Sequence, residues 1–171
     1  MLGQKLISVL IFNKYMTFCI YTIGYGNRSI SDFIQILKDN QIQVVVDVRS
    51  VPYSRYRPAF NSKALAKNLT DAGIGYMFKG NELGGMPKDT ALQTNDLPDY
   101  DKIRKTISYQ QGLYYLECGI ELGFRIAVLC ACLDHTECHR NKLIGVDMSR
   151  KGYEVYHINK NGDISQNERL F

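Results

Sequence analysis

The sequence predicts an α/β fold, a three-layer α/β/α sandwich around a mostly parallel sheet of about five strands. Three observations lead there. From residue 16 onward, short β-branched runs alternate with stretches of helical apolar spacing. Two of the runs, Val44-Val45-Val46-Asp47-Val48 and Arg125 to Cys130, are apolar on both faces, as strands covered on both sides must be. The connections between them are short, apart from one polar stretch near 88–100 that reads as a surface insertion.

The elements follow in order. Cys19 to Ile23 is a β-branched and aromatic strand ended by Gly24. Ile30, Phe33, Ile34 and Leu37 then recur at helical spacing behind Ser29, an N-cap with Asp32 three residues on. After the Val44 strand comes an irregular stretch, Arg49 to Phe60, with two prolines and three arginines. Asn61 opens a helix that buries Leu65, Leu69 and Ala72 and stops at Gly73. Gly75 to Phe78 is a third strand, and Lys79 to Pro87 a glycine-bearing loop. Asp101 to Leu122 is helical, with a break expected near Gln110-Gln111-Gly112. Arg125 to Cys130 is the fourth strand, Cys138 to Lys151 a helix ended by Gly152, and Glu154 to Ile158 the fifth strand. The tail after Asn159 reads as weakly ordered.

Length and charge bound the function. With 171 residues the chain can bury a sizeable core, and residues 16–171 are expected to form a single domain. A formal net charge of +4 does not by itself mark a nucleic-acid partner. Five cysteines, an odd number in a long chain, point to free thiols and a reducing, cytoplasmic compartment. Residues 1–15 read as an N-terminal extension. Its apolar run Leu6 to Phe12 is too short to span a bilayer and has no small-x-small cleavage site behind it. A docked or frayed segment is expected there, with a signal peptide as the other reading; no membrane association is expected. The oligomeric state is left open.

In parallel sheets, ligands bind beyond the carboxyl ends of the strands, where the strand order reverses. The unusual residues of this chain fall at those ends. They include Tyr25, Asn27 and Arg28 after the first strand, and Asp47, Arg49, Ser54 and Arg55 after the second. Gly84 and Gly85 follow the third, and Cys138, His139 and Arg140 the fourth. Several guanidiniums on one rim suit phosphate or carboxylate, whose oxygens match the planar fork; alternatively, arginines pair with Asp47, Glu82 or Asp134 and tie loops together. Tyr25, Tyr53, Tyr56 and Tyr76 near the same rim suit a nucleobase or single-stranded nucleic acid. Gly84-Gly85 permits close backbone approach, but no Walker loop or dinucleotide fingerprint is present.

Cys138 opens a helix beside Arg140, a setting that favours an anion or a thiolate; the plainer reading is a small buried residue that packs the helix start. His139 is a general base, a phosphate donor or a loop tie. Asp47 orients or deprotonates a substrate, or pairs with Arg49. Cys130, Cys132, His135, Cys138 and His139 are chemically suited to zinc but lack the usual two-residue knuckle spacing, so no cofactor is expected. Cys130 and Cys132, two apart at a strand end, face the same way.

Four segments carry a family resemblance. Tyr21-Thr22-Ile23-Gly24-Tyr25-Gly26-Asn27-Arg28-Ser29, Val46-Asp47-Val48-Arg49-Ser50-Val51-Pro52-Tyr53-Ser54-Arg55, Glu82-Leu83-Gly84-Gly85 and Cys138-His139-Arg140 occur in this order. Together they resemble the bacterial and archaeal family named domain of unknown function 488, over roughly residues 17–158. The resemblance implies a compact α/β domain with these motifs around a common pocket, and no particular reaction. This chain has Tyr25 and Gly26 where similar members carry histidine and serine, and Cys132 where they carry glutamate. Asp47-Val48-Arg49 is also similar to the rhodanese sulfurtransferases, although Cys138 sits in a longer loop than a rhodanese nucleophile.

Two functions are therefore expected. One is an enzyme on a phosphorylated, nucleotide or nucleic-acid substrate, with Arg49, Arg55 and Arg140 holding the anion and Asp47, Cys138 or His139 doing the chemistry. The other is a non-catalytic module that binds a nucleotide or nucleic acid in the same pocket. A thiol-dependent sulfurtransferase or a zinc protein is the more distant alternative.

Overall fold

The computed structural model describes residues 18–166, so the expectation for residues 1–15 lies outside them. Six strands form one sheet in the order β3-β2-β6-β1-β7-β8. They are β1 (Cys19–Gly24), β2 (Val44–Asp47), β3 (Gly75–Phe78), β6 (Ile126–Cys130), β7 (Glu154–Ile158) and β8 (Ile164–Gln166). The first five are parallel, and β8 pairs antiparallel with β7. The tail expected to be weakly ordered thus supplies a short edge strand. Its signal is faint because β8 has three residues and half-exposed faces.

The alternation of side chains along each strand builds two cores. Ile20, Val46, Val128 and Val155 face one side, where α5 (Ile107–Glu121) and α6 (Val146–Arg150) cover them with Leu113, Leu116, Ile120 and Met148. Ile23, Val45, Ala127 and Leu129 face the other, under Phe33 and Leu37 of α1 (Ile30–Asp39) and Leu65 and Leu69 of α2 (Ser62–Asp71). All five residues of β6 are buried, as a central strand covered on both faces requires. The Ser29 cap forms as its sequence predicts, its Oγ accepting from Asp32 N at 3.1 Å.

Three local expectations change. Lys79 to Pro87 is not all loop, for α3 (Gly80–Leu83) lies within it. The polar stretch holds a small hairpin, β4 (Gln93–Thr94) and β5 (Leu97–Pro98), turned at Asn95 and Asp96 with φ of 53° and 60°. The helical break falls earlier than Gln110, between α4 (Tyr100–Arg104) and α5, where Thr106 caps α5 by accepting from Tyr109 N. Gly112 instead stays helical. A Cβ there would lie 2.7 Å from the Leu83 side chain, so the glycine marks a close helix contact rather than a stop. The helix after β6 begins with a π-helical turn, Arg140–Gly145, which runs into α6. Among the described residues, no helix is long and apolar enough to cross a membrane.

Because α1 and α2 lie on one face and α5 and α6 on the other, the loops leaving β1 and β6 diverge to opposite sides of the sheet. These strands are neighbours, with Gly24 opposite Cys130. Their carboxyl ends therefore mark the switch point at which such sheets bind ligands in a crevice.

The core also sets an alkaline limit. Burial pushes the Tyr109 phenol well above the ordinary range, and the Asp147 carboxylate, which accepts its O–H at 2.8 Å, adds to the push. Burial likewise raises Tyr76 to about 12 and Tyr153 to about 12. An unfolded tyrosine releases its proton near 10.0, before these do. Their contribution to stability is thus complete below about pH 10 and is lost as the pH rises towards 12. Tyrosinate absorbance and circular dichroism should change together in that window; tyrosines that all ionise near pH 10 with the fold intact would contradict this.

Candidate functional site

The switch point is built around Gly24. A Cβ on this residue would lie 1.7 Å from the Cys132 carbonyl oxygen and 2.7 Å from Arg140 Nη1, so only hydrogen fits. Beyond it the two strands remain joined, Tyr25 N donating to Cys130 O at 3.2 Å and Gly26 N to Ala131 O at 3.0 Å. Gly26 has φ of 50°, a conformation that suits glycine, with Leu133 packed against it.

Two arginines flank Gly24. Arg28 turns back so that Nη1 donates to the Gly24 carbonyl and Nη2 to the Asn159 carbonyl beyond β7. Arg140 donates through Nη1 to Cys132 O and through Nη2 to Leu133 O, the latter at 3.0 Å. The side chains are 7% and 1% exposed. Neither forms an ion pair with a carboxylate among the described residues, and the Nε of each meets no acceptor. Burial, and then the positive charge of Arg140, hold Arg28 below the ordinary guanidinium range. Burial and Arg140 also depress His135, whose ring stacks on His157 at 3.9 Å.

A second cluster lies at the end of β2. Asp47 is fully buried and accepts from Arg49 Nε at 2.8 Å, from Arg49 Nη2 at 2.6 Å and from the Tyr76 hydroxyl at 2.9 Å. Arg49 N donates to it as well, at 3.1 Å. Burial opposes the Arg49 charge, but the hydrogen bonds and charge of Asp47 outweigh it and raise Arg49 above an ordinary guanidinium. Arg49 also donates to Phe60 O at 2.8 Å and lies 5.3 Å from the Tyr25 ring, which stacks on Phe60 at 4.4 Å. This bidentate pair fastens the irregular loop to β2. Both oxygens of Asp47 accept in this arrangement, Oδ1 from Arg49 and Oδ2 from Arg49 and Tyr76.

The third cluster is sulfur and imidazole. The Sγ atoms of Cys130, Cys132 and Cys138 all lie within 4.8 Å of one another. His139 Nδ1 is 3.8 Å from Cys130 Sγ and 3.9 Å from Cys138 Sγ, while its Nε2 lies 3.2 Å from the Val48 carbonyl oxygen. A carbonyl accepts only, so Nε2 carries the proton and Nδ1 presents its lone pair to the sulfurs. The hydrogen bond between Cys138 and Cys130 lowers the Cys130 thiol, against the effect of burial, and the same bond and burial raise Cys138. Gly85 belongs here for packing, since a Cβ would come within 2.4 Å of the His139 ring. Gly84 is pressed against Gly80 O and Ser50 Oγ.

The structure therefore draws Tyr25, Arg28, Asp47, Arg49, Cys138, His139 and Arg140 into one region, mostly below the surface. Ser54 serves the loop, its Oγ accepting from Arg57 N and its N–H donating to Asn61 Oδ1. Asn27 and Arg55 are exposed, as are Tyr53 and Tyr56. Tyr76, expected at the rim as a face for a base, instead donates to Asp47, and the Val48 carbonyl beside His139 Nε2 carried no signal in the sequence. The sulfur cluster was signalled by the series Cys130, Cys132, His135, Cys138 and His139 and by the same-face spacing of Cys130 and Cys132.

The family model for domain of unknown function DUF488 matches residues 29–146. The chain belongs to that family. No curated protein and no solved structure matches it. The matched span of the DUF488 domain runs from Ser29 through the π-helical turn. It takes in Asp47 and Arg49, Gly84 and Gly85, and the whole Cys130 to Arg140 loop, whereas Gly24, Tyr25 and Arg28 lie just ahead of it.

Proposed function

We propose that the DUF488 domain binds a small phosphorylated ligand, a nucleotide, at the carboxyl-end crevice between β1 and β6. One observation carries this reading: Arg28 and Arg140 bracket Gly24 as buried cations with no carboxylate partner among the described residues. A desolvated cation is costly unless an anion faces it, and in a low-dielectric crevice its field reaches the mouth with little screening. The guanidiniums lie behind the surface, so they set the potential while exposed groups make the contacts. Arg55 and Asn27 supply polar contacts at the rim, and the exposed rings of Tyr53 and Tyr56 offer faces for a base.

Binding is favoured over proton-transfer chemistry because the three sequence-predicted catalytic residues are occupied. Asp47 has three side-chain donors, both ring nitrogens of His139 have neighbours, and Cys138 is buried.

A thermal-shift series with inorganic phosphate, sulfate, mononucleotides and a short single-stranded oligonucleotide tests the reading. A ligand at about a hundred times its Kd stabilises by about 2.7 kcal/mol. Phosphate and a mononucleotide should raise the Tm of the parent, and the rise should vanish in Arg28→Gln, which keeps a donor near Gly24 O but removes the charge. Equal rises in parent and variant, or none in either, would overturn it. A larger rise with the oligonucleotide than with the mononucleotide would extend the ligand class to nucleic acid.

A further inference from the structure

We propose that Cys130, Cys132, Cys138 and Nδ1 of His139 form a four-coordinate site for one zinc ion. Zinc binds sulfur at about 2.3 Å and imidazole nitrogen at about 2.0 Å, so tetrahedral ligands stand about 3.5–3.8 Å apart. The three sulfurs lie within 4.8 Å of one another, and Nδ1 lies 3.8 and 3.9 Å from two of them. The three sulfurs are thus already grouped, with Nδ1 beside two of them, and a contraction of a few tenths of an ångström to about 1 Å closes the sulfurs on an ion that Nδ1 can reach.

The surroundings match a metal centre on three counts. The Val48 carbonyl takes the Nε2 proton of His139, which fixes the ring and leaves Nδ1 as the donor, the outer-shell arrangement typical of metal-bound histidine. Zinc with three thiolates and a neutral imidazole carries one negative charge, and Arg140 Nη1 stands 3.8 Å from Cys138 Sγ to balance it. Arg28 remains as uncompensated positive charge, so the metal site and the anion site are compatible and neither depends on the other. Cys132 is exposed while Cys130 and Cys138 are buried, which gives the ion a route from solvent and encloses it once bound.

The backbone explains how an unusual spacing can chelate. Cys130 ends β6 and Cys132 lies two residues on, so their side chains share a face. Cys138 N donates to His135 O at 3.0 Å, a turn that brings Cys138 and His139 back beneath that face. Zinc here would close the loop 130–138 upon itself. That loop carries the Cys132 and Leu133 carbonyls that hold Arg140, so the ion would stiffen the wall of the crevice.

Titration of the full, reduced chain with zinc alone and with cobalt alone tests the proposal. The expected result is one ion per chain and, with cobalt, the intense thiolate-to-metal absorption of a tetrahedral centre. X-ray absorption at the zinc edge should show three sulfurs and one nitrogen. Cys132→Ser, a change at an exposed residue that leaves the fold intact, should weaken zinc by more than the roughly 10–100-fold typical of losing an outer-shell partner. Cys118→Ser should bind as the parent does. Absence of the cobalt–thiolate band, parental affinity in Cys132→Ser, or an edge spectrum without nitrogen would each overturn the assignment. These readouts do not involve phosphate, so failure here leaves the anion reading standing, and the reverse also holds.

Discussion

Asp47→Ala should lose about 3–5 kcal/mol of folding stability, the cost of leaving one partner of a buried ion pair without the other. Arg49 is 4% exposed, and besides Asp47 it donates to the Phe60 carbonyl. Removing the carboxylate also strips the Tyr76 hydroxyl of its 2.9 Å acceptor. Two consequences separate this from a simple cavity. Asp47→Asn, which preserves shape and an acceptor but not charge, should recover only part of the loss. The double variant Asp47→Leu/Arg49→Met should be more stable than Asp47→Ala, because no unpaired charge stays buried. Urea unfolding of the four proteins gives these values directly. A loss below about 1 kcal/mol in Asp47→Ala would place the pair among contacts of surface strength and refute its role as the fastening of the irregular loop.

Gly24→Ala should be comparably severe, although it adds a single methyl group. Overpacking in a core costs about 1–3 kcal/mol when neighbours can shift. Here the obstacle is a backbone carbonyl at 1.7 Å, held in place by Arg140, whose own Nη1 is 2.7 Å away. The loop after β6 must move as a unit, and both arginine clamps loosen with it. Gly75→Ala is the matched control, since a Cβ there meets only ordinary contacts, the nearest at 3.4 Å. The expected order is a large fall in Tm for Gly24→Ala and little change for Gly75→Ala. Similar values for the two would show that β1 and β6 do not approach as closely as the crevice requires.

The sheet was legible because burial on both faces writes itself into composition: Val44-Val45-Val46 and Ile126 to Leu129 leave no polar face for solvent. The Ser29 cap was legible for a similar reason, a local hydrogen bond between residues three apart. Less local features were not. β8 depends on pairing with β7 and has no core of its own, and Gly112 reads as a stop until Leu83 is seen beside it. At the site, sequence placed the arginines at the correct strand ends but could not give their depth. Arg28 and Arg140 find their partners in carbonyl oxygens, which carry no signature in sequence. Asp47 with Arg49 was one of two open readings, and the structure selects the pair. The sulfur cluster needed the loop 130–138 to fold back, a geometry set by turns rather than by periodicity.

The central claim is that the crevice at Gly24 is where an anion binds. The most direct measurement is the anomalous scattering of tungstate, a heavy tetrahedral oxyanion, diffused into crystals of the full chain. The account predicts a single strong site at the mouth between β1 and β6, within the field of Arg28 and Arg140 and bordered by Asn27 and the loop 130–138, and its loss in Arg28→Gln. Tungstate bound instead at scattered surface lysines, or retained at full occupancy in Arg28→Gln, would contradict it.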